Sequence, residues 1–376
     1  MVTTQESFEY EKVYYRRHRF EFVTYMLKIK DVTVRVNSLP YQQVFEIARG
    51  KAYEAGVVLL AIDFGDVVGI GATAKNSVTG DSIESIVRAL SAWKDRYVGM
   101  EYESLSGLRH ALGNCPSIAA RAALDFAVHD AVAKAENIPL YKYLGGDKER
   151  ILTSITIGIM ENRAALAMAA RYIDMGFRVL KIKVGKDVER DITLIREIRD
   201  LVGDDIAIRV DANCGYSVSD AIKLCKRCEG LGVEFVEQPV LGKERMAKVA
   251  KNTNIPIMAD EDMKSVDDVI ALASAKIPLV NIKLIKCGGI FPSLEIARAC
   301  DEHGINAMVG CFGECSVSLA FGLHFALGVR CVRYADLDSA FLLSRDIGGD
   351  CIIFRDGYLY PKNAPGIGIE YDDMHF

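Results

Sequence analysis

Eight short apolar segments alternate with helical segments after residue 150, and this repeat is the strongest constraint on the fold. The segments are TSITIGI (153–159), VLKIKV (179–184), IAIRVDAN (206–213), EFVEQPV (234–240), PIMADED (256–262), LVNIKLIKCGG (279–289), NAMVGC (306–311) and VRYADLD (332–338). Repeated β-α units of this kind predict a parallel sheet. Eight units fit a closed (β/α) barrel, with an open doubly wound sheet as the alternative. No GxGxxG motif follows the first strand, which disfavours a dinucleotide-binding sheet.

The chain before this repeat follows a different pattern. Residues 8–75 have the alternation of strands, and GVVLLAIDFGDVVGIGATA predicts a hairpin with a Gly-Asp turn. Residues 81–135 have helical spacing, which Pro139 and a Gly pair then interrupt. The first part of the chain is therefore predicted to be α+β.

Composition disfavours several classes of protein. The formal net charge is -5 with no basic block, which argues against a nucleic-acid partner. The N-terminus lacks a signal-peptide core, and no apolar run reaches membrane-spanning length. The ten cysteines are scattered singly at or beyond Cys115, as expected of reduced thiols in a cytoplasm. Cys225 and Cys228 form a single CxxC pair, which we interpret as part of an amphipathic helix rather than a zinc site.

Charged side chains follow most of the eight predicted strands, and the C-terminal strand ends of such a barrel meet at one face. In strand order they are Lys181 and Lys183, Asp211, Glu237, Asp260 with Glu261 and Asp262, Lys283, and Asp336 with Asp338. One acid after a strand is commonly a helix cap. Three acidic strand ends in succession would repel one another without a cation. Because Mg²⁺ prefers oxygen ligands, Asp211, Glu237 and Asp260 are the predicted metal ligands.

Lys183 precedes these acids in the barrel and Lys283 follows them, so the two lysines are predicted to approach a metal-bound substrate from opposite faces. A free lysine has a pKa of about 10.4 and is a poor base at neutral pH. A neighbouring ammonium and a divalent ion both lower a lysine's pKa. Lys181 is expected to supply such a charge and to contact the substrate carboxylate. Simple salt bridging is the alternative, but it does not explain the opposed placement.

These motifs resemble the enolase superfamily and, within it, the muconate-lactonizing subgroup. KIKVG is similar to the subgroup's KxK motif, and DAN, EQP and ADE are similar to its metal-ligand segments. IKLIKCGG is similar to its sixth-strand lysine segment, where Lys283 rather than Lys286 matches the catalytic lysine. VTGDS and AALDFAVHD extend the resemblance into the first part. A mandelate-racemase-like member would carry a His after strand seven, where this chain has VGCFGEC.

The resemblance implies an α/β fold, a modified (β/α)7β TIM-type barrel with an α+β capping domain. It places the capping domain at residues 1–135, the barrel at 136–349, and a C-terminal segment of about 350–376 that returns to the cap. It also implies one Mg²⁺ per subunit on the substrate carboxylate and removal of the α-proton to give an enediolate. Lys183 and Lys283 would then be the two bases.

The pair Asp336 and Asp338 resembles the dipeptide epimerases, in which two such carboxylates hold the free α-ammonium of the substrate. Residues two apart can both face the pocket, and an ammonium between carboxylates is a strong charge-assisted contact. The expected reaction is a 1,1-proton transfer that inverts the α-carbon of a dipeptide's C-terminal residue. A turn with a helix cap is the alternative interpretation of the pair.

Further positions carry over from the same resemblance. Thr156, Cys311 and Gly313 match substrate-lining positions, although Cys311 stands in place of a Ser and Phe312 in place of a Met. Asn213 and Glu261 are expected to orient the metal ligands. Epimerases that act on Ala-Glu carry an Arg in the first capping loop, for which FVTYMLKIKD (22–31) offers no clear equivalent. The preferred dipeptide therefore stays open.

Three other functions also stay open. An o-succinylbenzoate synthase or N-succinylamino acid racemase would use the same lysines, and so would a muconate-type cycloisomerase. Asp336 and Asp338 argue against both, because muconate and succinylbenzoate bring no ammonium. A catalytically silent binding protein has no reason to keep the complete set of lysines and acids. A cytoplasmic homo-oligomer acting on a small molecule is expected.

Overall fold

The structure is a computed structural model that describes residues 27–102 and 105–374. Residues 8–26 of the predicted strand region 8–75, which include residues 22–26 of the first capping loop, lie outside the described residues. No helix in the described ranges is both long and apolar enough to cross a bilayer.

The N-terminal part combines a three-stranded antiparallel sheet, in the order β2-β3-β4, with helices. Its strands are β1 Leu27–Lys28, β2 Asp31–Ile47, β3 Gly50–Asp63, β4 Val68–Ala74 and β5 Glu101–Tyr102, and its helices are α1 Ile83–Tyr97, α2 Leu105–Gly113, α3 Ile118–Ala135 and α4 Leu140–Tyr143. The predicted hairpin is formed by β3 and β4, which reverse direction around Gly65. Helix α3 is buried almost throughout, which accounts for its alanine-rich sequence.

The second part is an eight-stranded parallel sheet with its strands in chain order. The strands are β7 Ile155–Ile157, β8 Val179–Lys183, β9 Ala207–Asp211, β10 Val233–Glu237, β11 Ile257–Ala259, β12 Leu279–Ile282, β13 Asn306–Gly310 and β14 Val332–Asp336, preceded by β6 Ile151–Leu152. A parallel bridge between Thr153 and Ala335 links the first and last strands. Unbroken chain order contradicts a doubly wound sheet, whose strand order reverses. The barrel prediction is therefore confirmed, and each predicted segment contains one of its strands.

Helices connect these strands. They are α5 Asn162–Asp174, α6 Val188–Val202, α7 Val218–Glu229, α8 Lys243–Lys251, α9 Val266–Ser274, α10 Leu284–Cys287, α11 Ile290–His303, α12 Ser316–Gly328 and α13 Ser339–Leu342. Cys225 and Cys228 are buried on α7, as the amphipathic-helix interpretation predicts, and all ten cysteines are free thiols.

Side chains two positions before the strand ends form a floor inside the barrel. Phe235, Met258, Leu279 and Met308 make a separate apolar cluster against which Tyr334 packs. The Arg209 guanidinium lies 5.4 Å from the Phe235 ring centre and 5.0 Å from that of Tyr334. Because strand side chains alternate, the residues two further on point into the same interior. Those residues include Asp211, Glu237, Asp260 and Asp336, so the floor supports the charged layer above it.

The C-terminal segment makes two kinds of contact. Strands β15 Ile352–Arg355 and β16 Tyr358–Pro361 form an antiparallel sheet with β6, next to the start of the barrel. Beyond them, the Ile367 N–H donates to the Asp130 carboxylate of α3 at 2.9 Å. The segment thus contacts both parts of the molecule, and the domain boundaries inferred from the sequence stay a prediction.

Asp130 generates a stability prediction. Its fully buried carboxylate accepts the Ile70 N–H at 2.9 Å and the Ile367 N–H, and it pairs with Lys134 at 2.8 Å. Asp130→Ala leaves these donors unpaired and should lower the free energy of unfolding by at least about 3 kcal/mol, because breaking a buried pair is costly. Asp130→Asn keeps an acceptor and should lose less. Denaturant unfolding measures both, and equal stability of the Ala variant and the parent would contradict the assignment.

Candidate active site

The predicted metal ligands lie at the ends of three neighbouring strands. Asp211 and Glu237 end β9 and β10 and stand in direct register, and Asp260 follows β11 by one residue. All three are at most 1% exposed. The parallel register brings these side chains together even though the residues are far apart in sequence.

Lysines from β8 and from the end of β12 contact the same carboxylates. Lys183 Nζ lies 2.6 Å from Asp211 Oδ2 and donates to Asn213 Oδ1 at 3.0 Å. Lys283 Nζ lies 2.9 Å from Asp260 Oδ2. Since Glu237 stands between these two acids in strand order, the lysines flank the carboxylate trio from its two sides.

Lys181 is the shared counter-ion of the site. Its Nζ lies 3.0 Å from Asp211 Oδ2, 2.7 Å from Glu237 Oε2 and 2.7 Å from Asp336 Oδ2. The contact with Asp336 is a hydrogen bond donated by Lys181 Nζ, and the contacts with Asp211 and Glu237 are ion pairs. Burial alone would lower the pKa of Lys181, but the three carboxylates outweigh burial and raise it well above its usual value.

Lys283 lies among buried carboxylates. Burial lowers the pKa of its ammonium, but the charges of Asp260, Glu237 and Glu261 together outweigh burial, and the pKa is raised. The Phe312 ring also covers it, with its centre 4.7 Å from Nζ, and a ring face favours the charged form. Phe312, which stands where a Met was expected, therefore contacts the ammonium group of Lys283.

The three carboxylates differ in pKa according to the ammonium groups that contact them. Burial would raise the pKa of Asp211, but Lys181 and Lys183 lower it to about 2. Burial raises the pKa of Asp260 as well, and Lys283 and Lys286 more than reverse that effect. Burial and the charge of Asp211 raise the pKa of Glu237 to about 7. Glu237 is thus the acid least compensated by its neighbours.

These residues fit a divalent cation. The set is all carboxylate oxygen, which suits Mg²⁺. The Lys181 ammonium already acts as a cation shared by Asp211 and Glu237. Glu237 Oε2 makes no hydrogen bond of good geometry within the described part of the chain, although Lys181 is close. In those same residues no three ligands converge on one vacant point, because ammonium groups contact the oxygens that a dication would bind.

Asp336 and Asp338 occupy the opposite rim. The Ser154 hydroxyl donates to Asp336 Oδ1 at 2.6 Å. The Thr156 N–H donates to Asp338 Oδ2 at 2.6 Å, and the Cys311 thiol donates to Asp338 Oδ1 at 3.6 Å. Burial and the charge of Asp336 raise the pKa of Asp338 to about 6. Lys181 is the ammonium paired with Asp336, and Asp338 has no ion pair with another residue of the described ranges.

The supporting residues have defined contacts. Glu261 Oε1 accepts from Asn213 Nδ2 at 3.2 Å, and the Asp262 carboxylate accepts from Gln238 Nε2 at 2.6 Å. Gln238 Oε1 in turn accepts the Asp260 N–H at 2.8 Å. Gly313 lies so close to the Tyr41 hydroxyl that a Cβ would approach it to 2.3 Å. Gly313 thus makes room for a capping residue.

The structure adds residues that the sequence analysis did not assign. Lys286 Nζ pairs with Asp260 Oδ1 at 2.7 Å, opposite Lys283. Asn281 Nδ2 donates to Glu237 Oε1 at 2.8 Å, and Gly310 leaves the space for that amide. Asn281 lies within β12 and Lys286 on α10 directly after it, so their closeness in sequence to Lys283 was the available signal.

A capping arginine also reaches the site. Arg49, between β2 and β3, lies 3.4 Å from Glu261 Oε1 with 41% of its side chain exposed. Lys28, which belongs to the stretch 22–31, pairs with Glu101 on the surface. Arg49 lies outside that stretch, in the turn between two strands of the capping sheet.

Comparisons with known proteins agree with this geometry. Residues 29–145 match the mandelate racemase / muconate lactonizing enzyme N-terminal domain, and residues 164–375 match the enolase C-terminal domain-like family. The L-Lys-D/L-Arg epimerase of Desulforapulum autotrophicum is 38% identical over 92% of this chain and 99% of its own length. The L-Ala-D/L-Glu epimerase of Clostridium acetobutylicum is 36% identical over 91% and 98%.

A solved structure is similar over the same extent. The dipeptide epimerase from Enterococcus faecalis, complexed with Mg and the dipeptide L-Leu-L-Tyr, superposes with a TM-score of 0.86 at 30% identity, over 92% of this chain and 100% of that one. The chain belongs to the mandelate racemase / muconate lactonizing enzyme family of the enolase superfamily.

Proposed function

We propose that the protein is a Mg²⁺-dependent dipeptide epimerase that inverts the α-carbon of the C-terminal residue. The observation that carries this proposal is the flanking of one carboxylate trio by Lys183 on Asp211 and Lys283 on Asp260. A two-base 1,1-proton transfer needs one base on each face of the reacting carbon. The epimerase relatives support the same assignment.

Mg²⁺ held by Asp211, Glu237 and Asp260 would stabilise negative charge that develops on the substrate carboxylate. Lys183 and Lys283 exchange the α-proton, one removing it while the other returns a proton to the opposite face. Asn213 and Phe312 fix the positions of these two ammonium groups. Lys181 holds Asp336, Glu237 and Asp211 in place and faces the carboxylate end of the substrate.

Asp336 and Asp338 bind the free α-ammonium of the dipeptide in this proposal. Their buried carboxylates compete for Lys181, and a second ammonium would complete their charge balance. Succinylated and muconate-type substrates lack that ammonium, which is why those functions are less well supported. Thr156 and Cys311 act by orienting Asp338 through a backbone N–H and a thiol.

We infer from Arg49 that an acidic residue is a candidate for the C-terminal position of the dipeptide substrate. Arg49 is the capping guanidinium beside Glu261, and its partly exposed side chain is free to turn toward a substrate carboxylate. All ten cysteines are free thiols, which supports a reducing cytoplasm as the compartment of the protein. We also propose that the protein is a homo-oligomer, and this proposal rests on the resemblance alone.

The first test is incubation with Mg²⁺ in ²H₂O and a panel of L,L-dipeptides. Deuterium should enter the α-position of the C-terminal residue together with a new diastereomer, and mass spectrometry and chiral separation measure both. Exchange on succinylated amino acids with none on dipeptides would overturn the proposal in favour of the succinyl branch.

Removing either base should separate exchange from inversion. Lys183→Ala and Lys283→Ala should each lower epimerisation at least about 100-fold, since a general base contributes this much. Each variant should keep deuterium exchange on one diastereomer only, and the two variants should keep opposite ones. Lys186→Ala is the control, because Lys186 is an exposed neighbour that pairs with Glu46. Near-normal turnover in both single variants would show that the mechanism is wrong.

Asp338→Asn tests ammonium recognition. The loss of one charged acceptor should lower kcat/KM for free dipeptides about 10- to 100-fold, because a charge-assisted hydrogen bond contributes roughly 1.5–3 kcal/mol. N-acetylated dipeptides, which have no ammonium, should change much less. Steady-state rates on the two substrate series give the comparison, and an equal loss on both would exclude the ammonium contact.

Phe312→Ala should change proton transfer on only one face of the substrate α-carbon. The ring lies over Lys283 and favours its charged form, so its removal should make the neutral base more available and speed exchange of the diastereomer whose proton Lys283 removes by about 2- to 30-fold, as expected for the loss of a cation–π contact of about 0.5–2 kcal/mol. Exchange through Lys183 should stay nearly unchanged. Initial rates from each diastereomer measure the two directions, and Phe312→Met serves as a bulk-preserving control. An equal change in both directions would contradict the assignment.

A further inference from the structure

A cavity of about 70 Å³ lies between the capping sheet and the first barrel strand. Residues 41–45 of β2 form one wall, and the other wall comes from the end of β7, from α5 and from α13. This volume is several times that of one enclosed water probe, so a side chain of medium size fits. The mechanism described above does not use this space.

The cavity opens beside Asp338. Thr156 lines it and donates its backbone N–H to Asp338 at 2.6 Å. Tyr41 and Tyr172 line it as well, and burial together with the negative charge of Asp338 raises the pKa of both phenols. An amino acid with its ammonium on Asp336 and Asp338 therefore has its side chain within reach of the opening.

The walls carry polar and apolar side chains in about equal measure. Val44, Phe45, Met160, Met168 and Leu342 contribute hydrocarbon and thioether surface. The Gln42 amide, which could have offered polar contacts, donates to the backbone oxygens of Phe341 and Leu343, each at 3.0 Å. An apolar side chain gains by leaving water for such a surface.

One charged side chain lines the cavity, that of Arg171 on α5. Its guanidinium is exposed and has no ion pair with another residue of the described ranges, and no carboxylate belongs to the lining. A lysine or arginine side chain entering here would bring a second cation next to this one. Repulsion between like charges disfavours the binding of such a substrate, so Arg171 excludes cationic side chains from the cavity.

We propose that this cavity, on the basis of the function proposed above, receives the side chain of the dipeptide's N-terminal residue and selects apolar side chains of medium size against cationic ones. The substrate class is then a dipeptide with a residue such as leucine or methionine at its N-terminus. This preference differs from the substrate named for the L-Lys-D/L-Arg epimerase relative.

The test uses X-Ala dipeptides with the full chain and Mg²⁺, where X is Gly, Leu, Met, Glu, Lys or Arg. The kcat/KM for α-deuterium exchange should be at least about tenfold higher for Leu and Met than for Lys and Arg. An optimum at Lys, Arg or Glu would overturn the proposal.

Arg171→Glu should raise kcat/KM for Lys-Ala and Arg-Ala at least about tenfold and change Leu-Ala little. Arg163→Glu is the matched control, because Arg163 is exposed on the same helix but does not line the cavity. Met168→Trp should fill the cavity and slow Leu-Ala relative to Gly-Ala. If Arg171→Glu and Arg163→Glu have equal effects, or if Met168→Trp leaves the Leu to Gly ratio unchanged, the cavity is not the side-chain site.

The results that would overturn the inference about the cavity can be distinguished from those that would overturn the epimerase proposal. Exchange on Gly-Ala with no preference for Leu or Met overturns only the inference about the cavity. The absence of exchange on every dipeptide, with the metal present, overturns the epimerase proposal on which that inference rests.

Discussion

Buried opposite charges are the constraint on which the rest of this site depends. Lys181, Lys183, Lys283 and Lys286 are all within a few per cent of full burial, and so are the carboxylates that face them. An isolated buried ion would cost many kcal/mol, so each must have partners. Lys181 has three acceptors and Asp260 has two ammonium partners. Removing one member therefore leaves another uncompensated, and the site has to be held as a unit.

The barrel supplies that unit through its two-residue period. Strands β10, β11 and β14 each contribute a side chain to the floor or against it and, two positions later, a carboxylate to the charged layer, as with Phe235 and Glu237. The floor excludes water from below, which strengthens the ion pairs above it. Parallel register then aligns Lys183 with Asp211, and Asp211 with Glu237. The backbone is also adapted at these strand ends, where Asn213 and Gln238 adopt positive φ angles of 42° and 39°.

Much of the fold and of the charged cluster could be predicted from the sequence, because the order of the strands determines which strand-end residues lie next to one another. The eight strands, the three acids and the two flanking lysines all follow from a period of two and from the rule that strand ends share one face. Contacts that depend on backbone atoms or on distant turns could not be predicted in this way. Thr156 holds Asp338 through its N–H rather than its side chain, and Arg49 reaches Glu261 from a hairpin turn 212 residues away.

Chemistry and selectivity have different physical origins in this molecule. Lys181, Lys183, Asp211 and Glu237 lie on strands whose positions are fixed by ladder hydrogen bonds and by mutual charge, so they tolerate little change. The surfaces that would contact substrate side chains come from the capping sheet and from α5, where Tyr41, Val44 and Arg171 are not tied into the ion network. A substitution there alters the cavity without leaving a buried charge unpaired, and its cost in stability is correspondingly small. Relatives of this chain carry names as different as L-Lys-D/L-Arg epimerase and L-Ala-D/L-Glu epimerase. For the same reason, the side-chain preference of this chain has to be read from its capping contacts, because the motifs that identify the family do not determine it.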